Sequence, residues 1–256
     1  MFGFGGFLRA LLVVGCTLAP VASQSAIVSV SGAAQQITLL DIPFNATAGI
    51  RRLWPGDLES NQLVRVFDEQ QNAVLPVDLS YGLAPPVDPL TWPTSPTSPP
   101  LPSGTTVSSY FVHFDPIGTS TALVTLTGSI TFDAPIVRVI VGTPGLDATD
   151  SNNLSHPVAP IPLGLPDLYY TWGGLRTLES VDQIEVTLTA PRTLAFTLAA
   201  GDSIDQIRVL TAAVPEPTPG QAVGIGLLVL AAVVGHRVCR RGGSGSSGEA
   251  APVGKT

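Results

Sequence analysis

The chain has 256 residues, 45% hydrophobic and only 12% charged, with a formal net charge of −7. That length allows one large or two small domains, and the supply of Val, Leu and Ile with a mean hydropathy of +0.37 excludes global disorder. Residues 24–213 hold seven arginines, no lysine and 17 acidic side chains, a net of −10, which excludes a nucleic-acid binder, since those need a basic surface.

The first 23 residues carry one basic side chain, Arg9, then an apolar run from Ala10 to Ala19, then small residues with Val21 and Ser23 placed for cleavage before Gln24. This is the pattern of a secretory signal peptide, which makes signal peptidase a partner. An alternative within the same segment is that "VVGC", residues 13–16, serves as a lipoprotein box with Cys16 acylated. The second cysteine is Cys239, so nothing between them can form a disulfide or a thiolate metal site. The exported body must be held by core packing alone.

From there the chain is a succession of short, β-branched segments: 26–32, 35–41, 61–69 and 73–80, then 105–115, 121–133 and 135–142, then 181–189, 193–199 and 205–211. Punctuated by Gly, Pro, Asn and Asp and without a helical period, they predict an all-β body over 24–213, a β-sandwich or jelly-roll-like domain. In "VDQIEVTLT", Ile184, Val186 and Leu188 alternate with Glu185, Thr187 and Thr189, which predicts one buried and one wet face. The Pro-rich stretch 83–102 is unsuited to sheet pairing and is expected to be an exposed loop within a single sandwich; division into two β units is the alternative.

Three places in the body invite chemistry. In "YFVHFD", His113, Asp115 and Phe111 fall on one face of a strand, with Tyr110, Val112 and Phe114 on the other. His113 and Asp115 suit a metal or acid–base pair, or else a histidine packed under a loop and an Asp-Pro turn; the second reading is favoured. In "LDATDSNN", Asp147, Asp150 and Asn152 supply the oxygens that calcium uses. The EF-hand spacing is missing, and a solvated turn is favoured; calcium is the one cofactor considered. In "DLYYTWGG", Tyr169, Tyr170 and Trp172 could stack on sugar rings or anchor a strand in the core, the latter being favoured. No H-E-x-x-H, G-x-S-x-G or spaced carboxylate pair is present, so no catalytic residue is assigned and the protein is expected not to be an enzyme.

The C-terminal region reads Val214-Pro215-Glu216-Pro217, an apolar run from Ala222 to Gly235 extended by Val238, and the arginines Arg237, Arg240 and Arg241. As a helix, 222–238 would be about 25 Å long at ~1.5 Å per residue, slightly short for a hydrocarbon core of ~30 Å, with the arginines on the cytoplasmic side. Residues 242–256 form a flexible cytoplasmic tail in this reading. Together these three elements resemble the PEP-CTERM sorting signal of bacterial exported proteins. The resemblance implies recognition by an exosortase-type membrane enzyme at the cell envelope, with Pro215-Glu216-Pro217 as the motif. "SSYFVHFDPIG", "GSITFDAPIVRVI", "GLRTLE" and "DSIDQIRVLT" are similar to a pattern in uncharacterised PEP-CTERM proteins and imply no reaction. The expectation is an exported surface or extracellular-matrix protein, associated with extracellular polysaccharide, anchored with its body outside. The alternative is a carbohydrate-binding module or carbohydrate-active enzyme on the same anchor.

Overall fold

The computed structural model describes residues 26–45, 50–88, 98–118, 122–151, 161–170, 176, 178 and 181–214. The segments expected to form the leader, the membrane helix at 222–238 and the tail, with Pro215 to Arg241, Trp172 and Asn152, lie outside them. One compact unit spans Gln24–Val214. The described chain is mostly β, as the short β-branched segments predict. No described helix is long and apolar enough to cross a membrane.

In chain order the strands are β1 (Ile27–Gly32), β2 (Ala34–Gln36), β3 (Phe44–Asn45), β4 (Ile50–Leu53), β5 (Val64–Asp68), β6 (Ala73–Val74), β7 (Thr106–Phe114), β8 (Val124–Phe132) and β9 (Ile136–Val141). A short helix, α1 (Thr143–Thr149), follows, then β10 (Leu168–Tyr170), β11 (Gln183–Glu185), β12 (Thr193–Ala200) and β13 (Asp205–Ala212). They form a four-stranded sheet β1-β8-β12-β11, a six-stranded sheet β2-β5-β7-β13-β9 with β6 on β7, and a three-stranded sheet β10-β4-β3.

The first two sheets share one core. Ile130, Phe132, Ile184, Leu194, Phe196 and Leu198 of the four-stranded sheet meet Val64, Val66, Tyr110, Val112, Val139 and Val209 of the six-stranded sheet. The other face of the six-stranded sheet, with Phe67, Phe111, Ile140 and Leu210, is covered by Leu53, Leu146, Leu168 and Tyr170. The central strand β7 is therefore buried on both sides, which suits its nearly continuous run of apolar and small residues. Phe111 lies in one core, and Tyr110, Val112 and Phe114 lie in the other, the division that strand alternation predicts. The four-stranded sheet keeps its outer face wet, where hydroxyls pair across strands: Thr127 with Thr197 at 3.1 Å and Thr131 with Thr193 at 3.2 Å.

Four expectations are corrected here. Residues 35–41 do not continue as a strand: β2 stops at Gln36, because Asp41 accepts hydrogen bonds from the Thr38 amide (2.7 Å) and hydroxyl (2.9 Å), closing a 3-10 turn over Leu39–Asp41. The alternation in 181–189 ends early. Ile184 and Val186 are buried, but Leu188 is 71% exposed, since Ala190 donates back to the Thr187 carbonyl (3.2 Å) and hydroxyl (3.1 Å) to make a turn. A helix forms at 143–149, in a stretch whose sequence suggests a loop. Gly142 at φ +80 turns the chain, a proline opens the first turn and Leu146 is buried. The Pro-rich stretch does pair, at its edges: Leu83 bridges Val139, Val87 bridges Val186 and Leu101 bridges Leu79. Strands from both sides of that stretch pair with each other, β1 with β8 and β5 with β7.

Gly32 ends β1 at φ +64, and a Cβ there would sit 2.4 Å from the Thr127 carbonyl oxygen and 2.8 Å from the Gly128 Cα. Both obstacles are backbone, so neither can swing aside. Gly32→Ala is expected to destabilise the protein by about 1–3 kcal/mol, read as a lower urea midpoint at unchanged slope.

Candidate functional site

The densest polar constellation lies inside the second core. Arg208 is on β13 directly across from Phe111 of β7 and is fully buried. It reaches Glu69, just past the end of β5, with a two-pronged contact: Nε donates to Oε2 at 2.7 Å and Nη2 donates to Oε1 at 2.8 Å. The same Nη2 donates to Asp150 Oδ1 at 3.0 Å, and Nη1 donates to the Thr149 hydroxyl at the end of α1. The guanidinium lies 5.1 Å from the Phe111 ring centre and 5.3 Å from that of Tyr170, within cation–π range.

The network extends outward. Glu69 also accepts from the Ser109 hydroxyl at 2.6 Å and from the Tyr170 hydroxyl, which itself accepts the Leu165 amide at 3.0 Å. Arg176, fully buried, binds the Asp150 carboxylate and donates to Asp147 Oδ1 at 3.0 Å. Burial by itself would lower the Arg208 proton affinity, but the Glu69 charge and hydrogen bonds, with Asp150 behind them, raise it above the ordinary arginine value. The Tyr170 hydroxyl is also pushed well above its usual range, by burial first and then by Glu69. Arg208 therefore keeps its charge and Tyr170 its proton, while guanidinium donors occupy the carboxylates of Glu69 and Asp150. Such a centre clamps β5, β13, α1 and β10 together.

The structure decides between open sequence readings here. Tyr170, by sequence a core anchor in the favoured reading and a sugar platform in the other, is fully buried with its hydroxyl on Glu69 and presents no ring face to solvent, so it anchors the core; Tyr169 alternates away from it and is half-buried. Asp147 and Asp150, candidate calcium ligands by sequence, have their carboxylates engaged by Arg176, with Arg208 also on Asp150. A guanidinium held at that distance takes the place a cation would need. Among the described residues, no group of three or more His, Cys, Asp and Glu side chains is arranged to hold a metal.

His113 and Asp115 do not act as a pair. His113, fully buried on β7, has its Nδ1 3.0 Å from the Gln206 side-chain nitrogen on β13. Burial, with the charges of Arg176 and Arg65 behind it, lowers its pKa to about 3, so the ring is neutral. Asp115 accepts the Gly56 amide at 2.6 Å, and its carbonyl accepts the Ser60 amide at 2.7 Å, tying down the loop that follows β4. Burial raises its pKa to about 6, the Gly56 bond opposing and Glu59 and Asp57 adding to the rise.

No protein-family profile, curated protein or solved structure matches this chain. Sequence reasoning misses Glu69, Ser109, Arg176 and Arg208. The available signal is a lone arginine inside an apolar strand, in "DQIRVLT", which can be buried only if a carboxylate meets it. Val214, the first residue of the segment that resembles a sorting motif, is half-buried just beyond β13; the rest of that segment lies outside the described residues.

Proposed function

We propose that this is an exported, non-enzymatic surface or matrix protein of the bacterial envelope, sorted through its C-terminal segment by an exosortase-type enzyme and associated with extracellular polysaccharide. The observation that carries the reading is the ordered triad of Pro215-Glu216-Pro217, the apolar run 222–235 and Arg237, Arg240 and Arg241. Pro215 and Pro217 disfavour helix and leave an extended chain just outside the bilayer, where a processing enzyme can bind it. Residues 222–238 then cross the membrane as a single helix, the arginines staying inside. The body, with its two packed sheets, is a β-sandwich of jelly-roll type in this reading.

Glu216 is the one charge in the proline-bracketed segment and is the natural recognition handle. In a host carrying an exosortase, Glu216→Ala is expected to be exported normally yet keep the full C-terminal mass, while the wild type loses its tail. Identical mature masses for the two proteins, measured by intact-mass spectrometry of the envelope fraction, would overturn the sorting role.

A further inference from the structure

A polar row crosses the face of the six-stranded sheet that carries Phe67 and Phe111. Gln35 of β2 pairs with Arg65 of β5, Arg65 with His113 of β7, and His113 with Gln206 of β13. Directly paired residues share a face, so the row runs from the exposed Gln35 through the half-buried Arg65 to the fully buried His113 and Gln206. At its exposed end lies a cleft of about 350 Å³ lined by Gln35, Gln36, Ile37, Asp41, Leu58 and Arg65. That size is at the lower end of small-molecule sites.

One residue lining the cleft, Arg65, has a buried and unsatisfied polar atom. Among the described residues the Arg65 side chain makes no hydrogen bond or ion pair, and its Nε is buried without a partner. The neighbouring His113 Nε2 is likewise buried and unpartnered. The arginines packed over the same face, Arg176 and Arg208, are both paired with carboxylates. Asp41 uses one oxygen, Oδ2, for its turn with Thr38, which leaves Oδ1 to accept from a ligand. Its carboxyl stays below the usual carboxylate range, through the Thr38 bonds first and Arg65 last, so it is ionised at neutral pH.

We infer that this cleft binds one neutral, hydroxyl-rich sugar unit of a polysaccharide, with Arg65, Asp41, Gln35 and Gln36 as the polar contacts. The charges decide the ligand class. Arg65 and Asp41 balance, so an anion would meet Asp41 and the acidic body, and a cation would meet Arg65. A vicinal diol both accepts and donates: its oxygens take the guanidinium fork, its hydroxyls give to Asp41 Oδ1, and the amides of Gln35 and Gln36 serve either sense. Ile37 and Leu58, both half-buried, supply apolar surface for the sugar's C–H face. The inference rests on the proposed association with polysaccharide but not on the sorting signal.

The test is calorimetric titration of the purified full chain with neutral gluco-, galacto- and manno-oligosaccharides, and with a uronate oligosaccharide as the charged control. At least one neutral sugar is expected to bind, and more tightly than the uronate. Arg65→Met and the double variant Gln35→Ala/Gln36→Ala are each expected to weaken binding by about tenfold, a loss equal to one good contact. Melting temperature reports folding separately. It should be unchanged in the glutamine variant, whose residues are exposed, and unchanged or higher in Arg65→Met, which removes an unpaired charge. Absence of neutral-sugar binding, tighter uronate binding, or full affinity in the glutamine variant would each overturn the site. Sugar binding that survives in both variants would leave the association with polysaccharide standing and move it elsewhere. Normal Glu216-dependent processing in any of these cases would leave the sorting role intact.

Discussion

Arg208→Ala is expected to cost about 3–5 kcal/mol, a large part of a typical domain's stability of ~5–15 kcal/mol. The loss comes less from the missing attraction than from what remains. Glu69 and Asp150 are both fully buried at their side chains, and with Arg208 gone Glu69 would be a buried carboxylate with only the Ser109 and Tyr170 hydroxyls to face it. Arg208→Lys keeps the charge but not the fork, since one ammonium cannot reproduce the Nε and Nη2 contacts to Glu69 with a third to Asp150. An intermediate loss is expected. Replacing the pair together, Arg208→Met with Glu69→Leu, should recover most of the stability, because a buried ion pair exchanged for apolar packing is often neutral or better. Urea denaturation of the four proteins measures all of this. A single alanine variant as stable as the wild type would show that the network does not clamp the fold.

The second large effect is on pH dependence. His113 titrates near 6.5 in the unfolded chain but near 3 in the fold. Between those values the unfolded chain binds a proton that the native state refuses. Stability from this group is therefore complete above about 6.5 and falls by about 1.4 kcal/mol per pH unit as the solution is acidified toward 3. Asp115 works in the opposite sense. Its pKa is raised from 3.8 to about 6, so between those values the native state holds a proton the unfolded chain has released, and stability from Asp115 rises as pH falls. From about pH 6 down to 4 the two terms offset each other. His113→Gln, which retains an amide partner for Gln206, is expected to remove the acid-side loss, and Asp115→Asn to deepen it. Differences between each variant and the wild type cancel the other titrating groups. Superimposable profiles for His113→Gln and the wild type would refute the assignment.

The legibility of the fold follows from how local each signal is. Strand alternation is carried by neighbouring residues, so the two faces of β7, with Phe111 on one side and Tyr110, Val112 and Phe114 on the other, are legible in the sequence alone. The short strands β3, β4 and β10 are not, because "FN", "IRRL" and "LYY" contain too few residues for a period to emerge. Leu188 escapes the pattern for a related reason. A turn made by the Thr187 hydroxyl overrides an alternation that the composition alone would continue.

The candidate site divides in the same way. The all-β class is written in the contiguous β-branched runs, and the proposed export and sorting rest likewise on contiguous segments, the leader-like start and the proline-bracketed Glu216, each of which needs only its own neighbours to be read. Nothing next to Glu69 or Asp150 in the chain marks either carboxylate for burial, and Tyr170 is by sequence one of three aromatics near a loop. Only the tertiary structure decides their fate, by bringing Arg208 within 3.0 Å of carboxylates 58 and 139 residues away in the chain. The charge of a side chain is set by its own chemistry, but whether that charge is solvated, paired or left open, as at Arg65, depends on what distant segments fold against it.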